Sequence, residues 1–307
     1  MYDSIIIVGA TATGKTSVSI ELAKKLNAEI VNADSMYIYN DLNIGTAKPT
    51  KEEMQGIKHH LISIAESTDD FNVVDFRTKT KDVINTLKQN NTLPIVVGGT
   101  GFYVDSLIKN YSYGNTSNSS KIRTELFDIL EKKGKDYLYN LLLEKDSATA
   151  SRLHKNDVVR VIRALEICMS TNNTVSLENN EEPILKNPLI IGLTMPRDLL
   201  YDKINRRVDI MINSGLIDEV KSLIDRGLTP NNSQSMKGIG YKEIYEYLEN
   251  NYSLDEAIEK IKQHTRNYAK RQITWFKRND KITWFDTTTN KCEIISNIIN
   301  LYNKNTQ

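Results

Sequence analysis

The first hundred residues alternate short apolar, β-branched runs with longer stretches of helical spacing. Ile5 to Val8 precedes a helical pattern from Thr16 to Leu26, and Glu29 to Asn32 follows it. A polar helix is then predicted from about Asp75 to Gln89, leading into the apolar run Leu93 to Val97. Strands separated by helices of this length pair in parallel through right-handed crossovers. The pattern therefore predicts a doubly wound α/β sheet, with ligands at the carboxyl ends of its strands.

The pattern changes near Ser112, where the chain turns rich in Asn, Ser and Gly as far as Ser120. A second such stretch runs from Ser170 to Pro183. Between them KIRTELFDILEKKG and VVRVIRALEICM read as helices with no strand signal, which predicts an all-helical insertion. Leu189 to Met195 reads as another buried strand, followed by helices ending near Gly215 and Gly227, both residues suited to a C-cap. The predicted divisions are residues 1–112 for the first part of the core, 113–187 for the insertion and 188–307 for the rest of the core. The C-terminal YNKNTQ is expected to fray.

A chain of 307 residues with 39% hydrophobic and 26% charged side chains can bury a substantial core. The formal charge of +1 gives no overall attraction to nucleic acid, so any such site must be a local patch. The apolar run before Gly9 is too short for a signal peptide or a membrane span, which predicts a cytoplasmic protein with no membrane partner. Cys168 and Cys292 lie far apart without zinc or disulfide spacing, and both are expected to be reduced, buried thiols. No obligate protein partner is evident in the sequence.

Gly9-Ala10-Thr11-Ala12-Thr13-Gly14-Lys15-Thr16 fits GxxxxGKT directly after an apolar strand and at the start of a helix. Both contexts that a P-loop requires are present. The glycines let backbone N–H groups curl toward phosphate oxygens, the helix N-terminus adds partial positive charge, and Lys15 adds a full one. The Thr16 hydroxyl can ligate Mg²⁺. The fold class is thus a P-loop NTPase-like doubly wound parallel sheet carrying a helical subdomain, and the site suits a diphosphate or triphosphate.

A phosphate loop alone does not choose between a kinase, an NTPase and an enzyme that expels diphosphate. The second strand ends in Asn32-Ala33-Asp34-Ser35, at the same sheet edge. Beside Lys15 the Asp34 carboxylate is expected to stay ionised, ready to accept a proton or hold Mg²⁺; the other reading is a cap on the following turn. Gly98-Gly99-Thr100-Gly101 ends the next strand, where glycines permit close backbone approach and Thr100 offers a hydroxyl; a simple tight turn is the alternative. His59, His60 and His154 lack companions at metal spacing, so structural roles are expected.

Together, GATATGKT, VNADSMYIYNDLNIGTAKPT, IVVGGTGFYV, NDVVRVIRALEI and AKRQITWFKR closely resemble the tRNA dimethylallyltransferase family in its bacterial form. The likeness runs in order over nearly the whole chain. It implies that the P-loop holds the diphosphate of dimethylallyl diphosphate with Mg²⁺, and that the acceptor is the exocyclic amine of an adenine just 3′ of the tRNA anticodon. Lys15 and the loop amides would hold the leaving diphosphate, Thr16 the metal, and Asp34 would be the general base with Thr100 close by.

The same resemblance implies contacts with the anticodon stem-loop from Asp34, Ser35, Met36 and Tyr37, where the family usually has Gln at the last position. Stacking by the Tyr37 ring is an alternative to that Gln contact. Thr100, Arg123, Arg160, Arg163, Lys237, Tyr241 and Lys242 match further tRNA-contact positions. Arg206 or Arg207 could reach the diphosphate, but pairing with Asp202 or Asp209 on the helix surface is the reading the spacing favours.

Ser253 and Glu256 form a capping-box signature, which predicts a helix from Leu254 to Phe276. At about 100° per residue, Ile258, Ile261, Thr265, Tyr268 and Phe276 fall on one side and Lys262, Arg266, Lys270 and Lys277 on the other. From Lys260 to Lys281 the basic residues, Arg271 and Arg278 among them, face Asp280 as the sole acid. This is the footprint of phosphate-backbone binding, and the resemblance puts Lys270, Arg271 and Lys277 on tRNA. The alternatives are a nucleotide or small-molecule kinase, with the insertion as its lid, and an RNA-binding P-loop ATPase.

Overall fold

The structure is a computed structural model that describes residues 2–110, 120–171 and 181–304. The stretches predicted as linkers fall for the most part outside those residues, as does the end of the C-terminal tail. Two compact units result: Met1–Ile108 with Ile184–Gln307, and Lys109–Pro183.

The larger unit is built on a parallel sheet of β1 (Ser4–Gly9), β2 (Ala28–Asn32), β3 (His59–His60), β4 (Leu93–Gly98), β5 (Pro188–Thr194) and β6 (Thr283–Asp286). Their order is β3-β2-β4-β1-β5-β6. β1 lies between β4 and β5, with Ile6 opposite both Val96 and Ile190, and every residue of the strand is buried. Successive side chains of a strand point to opposite faces. Ile6, Val8, Val31 and Val96 accordingly enter one core, while Ile5, Ile7, Ile30 and Ile95 enter the other. A run that is apolar at every position, as in IIIV, is what a strand covered on both faces requires.

Helix α1 (Lys15–Leu26) leaves β1 and packs Val18 and Leu22 on the second face. Helix α4 (Gly101–Ile108) leaves the neighbouring β4 and packs Val104 and Leu107 on the first. Adjacent strands whose helices depart to opposite faces leave a crevice between their carboxyl ends, where open α/β sheets bind ligands. The first face is completed by α3 (Val73–Gln89), α8 (Arg197–Asn213), α9 (Leu216–Asp225), α10 (Tyr241–Leu248) and α11 (Leu254–Phe276). The second is completed by α12 (Lys291–Lys304).

The capping box of α11 forms as the sequence predicts, with the Ser253 hydroxyl accepting from Glu256 N–H and the Glu256 carboxylate from Ser253 N–H. Gly215 and Gly227 stand just past the ends of α8 and α9, as expected. The four-residue α2 (Lys51–Met54) and the edge strands β3 and β6 are additions that the sequence pattern does not announce.

The smaller unit holds α5 (Ser120–Lys145), α6 (Ser147–Ala150) and α7 (Val158–Thr171), with no strand among its described residues. Gly134, at φ 80°, breaks α5 into two helical stretches. Leu126, Leu138, Leu142, Val161 and Leu165 form its core. Cys168 is buried, but Cys292 is exposed at the start of α12, contrary to the expectation from sequence. No described helix is long and apolar enough to cross a membrane.

Candidate active site

The phosphate loop leaves β1 at Gly9, whose close neighbour is the Leu193 carbonyl of β5; a Cβ there would lie 2.5 Å from that oxygen. Gly14 adopts φ 87°, a left-handed conformation that suits glycine, and turns the chain into α1. The loop rests on α8 and α11, where Ala10 packs with Met195, Leu200, Ile204 and Ala269. That seating brings side chains from distant parts of the sequence to the phosphate site.

The sequence treats all eight loop positions alike, but the structure divides them. Thr11 N–H donates to the Gln272 Oε1 atom (2.9 Å), and the Thr13 hydroxyl turns back to the Ala10 carbonyl (2.7 Å). The N–H groups of Lys15, Thr16 and Ser17 at the start of α1 have no carbonyl one turn earlier within the helix, whereas Val18 N–H donates to the Gly14 carbonyl (3.2 Å). Lys15 Nζ donates to the carbonyls of Gly9 (3.1 Å) and Ala10 (2.8 Å). Burial pushes its pKa down to about 8 against the opposing pull of Asp34, with Arg207 adding to the depression.

Asp34 follows β2, and Ala33 N–H donates to Val97 O of β4 (2.8 Å), so the two strand ends stand side by side. The carboxylate caps its own turn, with Oδ1 accepting from Met36 N–H (3.0 Å). Oδ2 makes no hydrogen bond among the described residues, and Lys15 and Arg207 are its charged neighbours. The sequence suggests that Lys15 keeps this group ionised; burial acts the other way and prevails, raising the Asp34 pKa above the ordinary carboxylate value. Thr100 Oγ1 accepts from Ser35 N–H (3.0 Å) and lies 3.3 Å from the Ser35 hydroxyl, which ties the ends of β4 and β2 together. Desolvation of the half-buried Tyr268 hydroxyl, with the Asp34 charge adding to it, raises its pKa so that it stays protonated.

Of the two arginines on α8, the structure turns Arg207 inward and leaves Arg206 exposed. Arg207 reaches Thr11 Oγ1 (3.4 Å) and the Ala47 carbonyl (3.2 Å). The expected pairing with Asp209 does not occur, because Asp209 binds Lys262 of α11 (2.9 Å). The Ala47 carbonyl also accepts from the Tyr37 hydroxyl (3.0 Å), whose pKa burial pushes up to about 12. Tyr37 is thus held by its hydroxyl beside Arg207 and Asp34, and Met36 packs against Gly238.

Glu219 fixes this loop, and no spacing in the sequence reveals it. Its carboxylate accepts from the N–H groups of Asn43 (3.0 Å), Ile44 (2.8 Å) and Gly45 (3.0 Å), and from the Tyr241 hydroxyl (2.6 Å). Tyr241, expected on the tRNA surface, is fully buried instead, because its ring fills the space beside Gly45. Lys237 and Lys242 flank it and are exposed.

The basic side of α11 is narrower than the helical projection suggests. Lys262 pairs with Asp209 and Glu259, and Arg266 donates to Asn205 (2.6 Å), so both help dock α8. Lys270, Arg271 and Lys277 are exposed. Within the helical unit Arg123 and Arg163 both approach the fully buried Glu166 (3.5 and 3.2 Å), and Arg160 pairs with Asp157 (3.1 Å). His60 binds Glu29 (2.6 Å) and His59 the Ile57 carbonyl (2.8 Å), both structural roles. Among the described residues no group of three or more His, Cys, Asp or Glu side chains could hold a metal ion. Mg²⁺ accepts a sparse oxygen set such as one hydroxyl together with phosphates, and Thr16 is the second residue of α1.

The family model described as IPP transferase matches residues 37–279, a span that starts after the phosphate loop and Asp34. The tRNA dimethylallyltransferase of Bacillus cereus strain AH187 is 45% identical over 285 residues, covering 92% of this chain and 89% of that one. That of Bacillus subtilis strain 168 is 44% identical over 286 residues, with 92% and 90% covered. The crystal structure of the full-length tRNA isopentenylpyrophosphate transferase of Bacillus halodurans superposes with a TM-score of 0.75 at 43% identity, over 99% of this chain and 96% of that chain. A eukaryotic dimethylallyltransferase caught acting on tRNA gives 0.79 at 30% identity, over 94% and 74%.

Proposed function

The chain belongs to the IPP transferase family, and from that premise we propose how its residues divide the work of moving a dimethylallyl group to tRNA. The kinase and ATPase alternatives are not favoured, since the relatives at this identity are prenyl transferases. The donor is dimethylallyl diphosphate and the acceptor is the exocyclic amine of the adenine 3′-adjacent to the anticodon. Acting on tRNA, the enzyme works in the cytoplasm.

One observation carries this reading: Asp34, a half-buried carboxylate whose pKa desolvation raises, stands as the charged neighbour of Lys15, a half-buried lysine of the phosphate loop. An allylic carbon ionises readily once its diphosphate is neutralised, while a purine amine is a weak nucleophile that must shed a proton. The reaction needs a cationic half and a basic half about one small group apart. Lys15, Arg207 and the first N–H groups of α1 form the cationic half. Thr16 and the substrate phosphates would hold Mg²⁺, which when bound would add to the neutralisation of the leaving group.

Asp34 and Thr100 form the basic half. The C–O bond to diphosphate breaks with its electron pair on the leaving oxygen, the amine nitrogen bonds to the allylic carbon, and Asp34 takes the amine proton. The adenine must leave its stack to reach this crevice. Lys270, Arg271 and Lys277 on α11, with Lys237 and Lys242, hold the anticodon stem-loop through its phosphates, as do Arg123, Arg160 and Arg163 from the helical unit. Tyr37 is a wall of the crevice near Asp34, held by Ala47.

The assignment of the amine is tested with radiolabelled dimethylallyl diphosphate, Mg²⁺ and an anticodon stem-loop. Label is expected on the stem-loop with adenine at the 3′-adjacent position and none when that base is purine, which lacks the 6-amino group. Equal labelling of the purine stem-loop would overturn the acceptor assignment.

The basic helix is tested separately. Changing Lys270, Arg271 and Lys277 to Ala is expected to weaken tRNA binding while leaving affinity for dimethylallyl diphosphate unaltered. The slope of log affinity against log salt should shrink by up to about 0.9 for each duplex phosphate that is no longer neutralised. A folded triple variant with wild-type tRNA affinity and an unchanged slope would make this face a solvated surface only.

A further inference from the structure

We propose that Gln272 is a positioning residue that sets the spacing between the diphosphate half and the proton-accepting half of the site, an inference that rests on the reading of those halves given above. Gln272 lies on α11, far from both halves in sequence. Its Oε1 accepts from Thr11 N–H of the phosphate loop (2.9 Å). Its Nε2 donates to the Gly99 carbonyl, next to Thr100 (2.9 Å). One planar amide therefore joins the turns that follow β1 and β4.

Packing alone does not account for this side chain. The buried face of α11 is otherwise Ala257, Ile261, Ala269 and Phe276, and Gln272 is 5% exposed among them. A buried amide is costly unless its donor and acceptor are both matched, and here both are. The fit is close: a Cβ on Gly99 would lie 2.1 Å from Nε2, so glycine is what admits the amide. An acceptor and a donor pointing in opposite senses are what a loop N–H on one side and a carbonyl on the other require, and among side chains of this length glutamine supplies them without taking up a proton. Reacting atoms in a near-attack arrangement tolerate little displacement, and an error of about 1 Å can cost on the order of 10²-fold in rate. Arg271, next to it in sequence, is exposed, so the tRNA contact proposed for it would fall on the element that carries this link.

The test uses full-length protein in single-turnover transfer with both substrates saturating. Gln272→Leu keeps the volume and removes both hydrogen bonds; the rate is expected to fall by about tenfold or more, with tRNA affinity unchanged within about twofold. Gln272→Glu separates positioning from simple folding. As a carboxylate it can accept from Thr11 N–H but faces the Gly99 carbonyl with no donor. Protonated, it regains the donor.

The ratio of the Gln272→Glu rate to the wild-type rate is therefore expected to rise as pH falls from about 8 to about 5.5, because burial raises the pKa of the introduced acid. Lys15 and Asp34 titrate in both proteins, with the Arg207 guanidinium and the Tyr268 hydroxyl beside them, and the neutral Gln272→Leu variant is the control for that shared pH dependence. For Gln272→Leu the ratio should stay flat. A folded Leu variant within threefold of the wild-type rate, or a Glu ratio that does not change with pH, would overturn the proposal. If Gln272→Leu does not fold, as judged by its thermal transition, the Glu ratio alone decides. Wild-type transfer in the same assay checks the underlying reading independently, so failure of one is distinguishable from failure of the other.

Discussion

Asp34→Asn is expected to slow single-turnover transfer by about 10²-fold or more, the usual loss when a true general base is removed. Asparagine keeps the side-chain oxygen that accepts from Met36 N–H, so the turn after β2 should survive. Lys15 and the N–H groups of α1 are untouched, so binding of dimethylallyl diphosphate should remain. The pH profile gives the same test a sign. A base acts above its pKa and is lost as pH falls through it; burial raises the Asp34 pKa, so the acid limb of the wild-type rate should lie above the ordinary carboxylate range. That limb should vanish in the Asn variant. A single-turnover rate within threefold of wild type would remove Asp34 from the role of base.

Lys15→Ala should lower both diphosphate affinity and turnover, with about 10²-fold or more lost from the chemical step, because the main fixed charge on the leaving group is gone. The Lys15 pKa, pushed down to about 8 by burial, makes affinity depend on pH. A lysine is charged below its pKa, so affinity should hold below about pH 7 and fall as pH rises through about 8. A bound diphosphate favours the charged form, so binding near pH 8 should take up a proton. Calorimetry in buffers of different ionisation enthalpy reads that uptake directly. Affinity equal to wild type in Lys15→Ala, or binding with no proton uptake near pH 8, would place the diphosphate elsewhere.

These two effects rest on residues that the sequence makes visible. GxxxxGKT after an apolar strand has one well-understood physical use, and its lysine is read from the chain directly. Asp34 is legible because an acid at the end of a parallel strand must stand at the ligand edge of the sheet. The direction of its pKa is not legible, since that is a balance of burial against charge and burial depends on how α8 and α11 cover the crevice. Tyr241 shows the same limit from the other side. A tyrosine between two lysines looks like surface, yet its ring is drawn inside by Glu219 and by the room that Gly45 leaves.

The choice of Arg207 over Arg206, and the place of Gln272, are not legible in the sequence for a related reason. Each lies in a helix whose sequence neighbours are charged, and helical spacing gives an angle around the axis without saying what the helix packs against. Lys262 and Arg266 project to the same side as Lys270, but α8 covers the first two and not the third. The edge strands β3 and β6 escaped notice because they are short, β3 half-buried and β6 exposed at both ends, so no apolar run or alternation marks them.

By itself, the sequence determined what local physics controls: the buried strands from β-branched runs, α11 from its capping box, the phosphate loop from its glycines and lysine, and the acid at the end of β2. The tertiary structure alone decided which arginine faces the loop, which basic residues of α11 stay open to solvent, that Glu219 anchors residues 43–45, and that Gln272 bridges two strand ends. Those outcomes depend on contacts between segments as many as 261 residues apart. Such contacts form only when helices dock on the sheet, and no pattern of short period along the chain encodes which partners then meet.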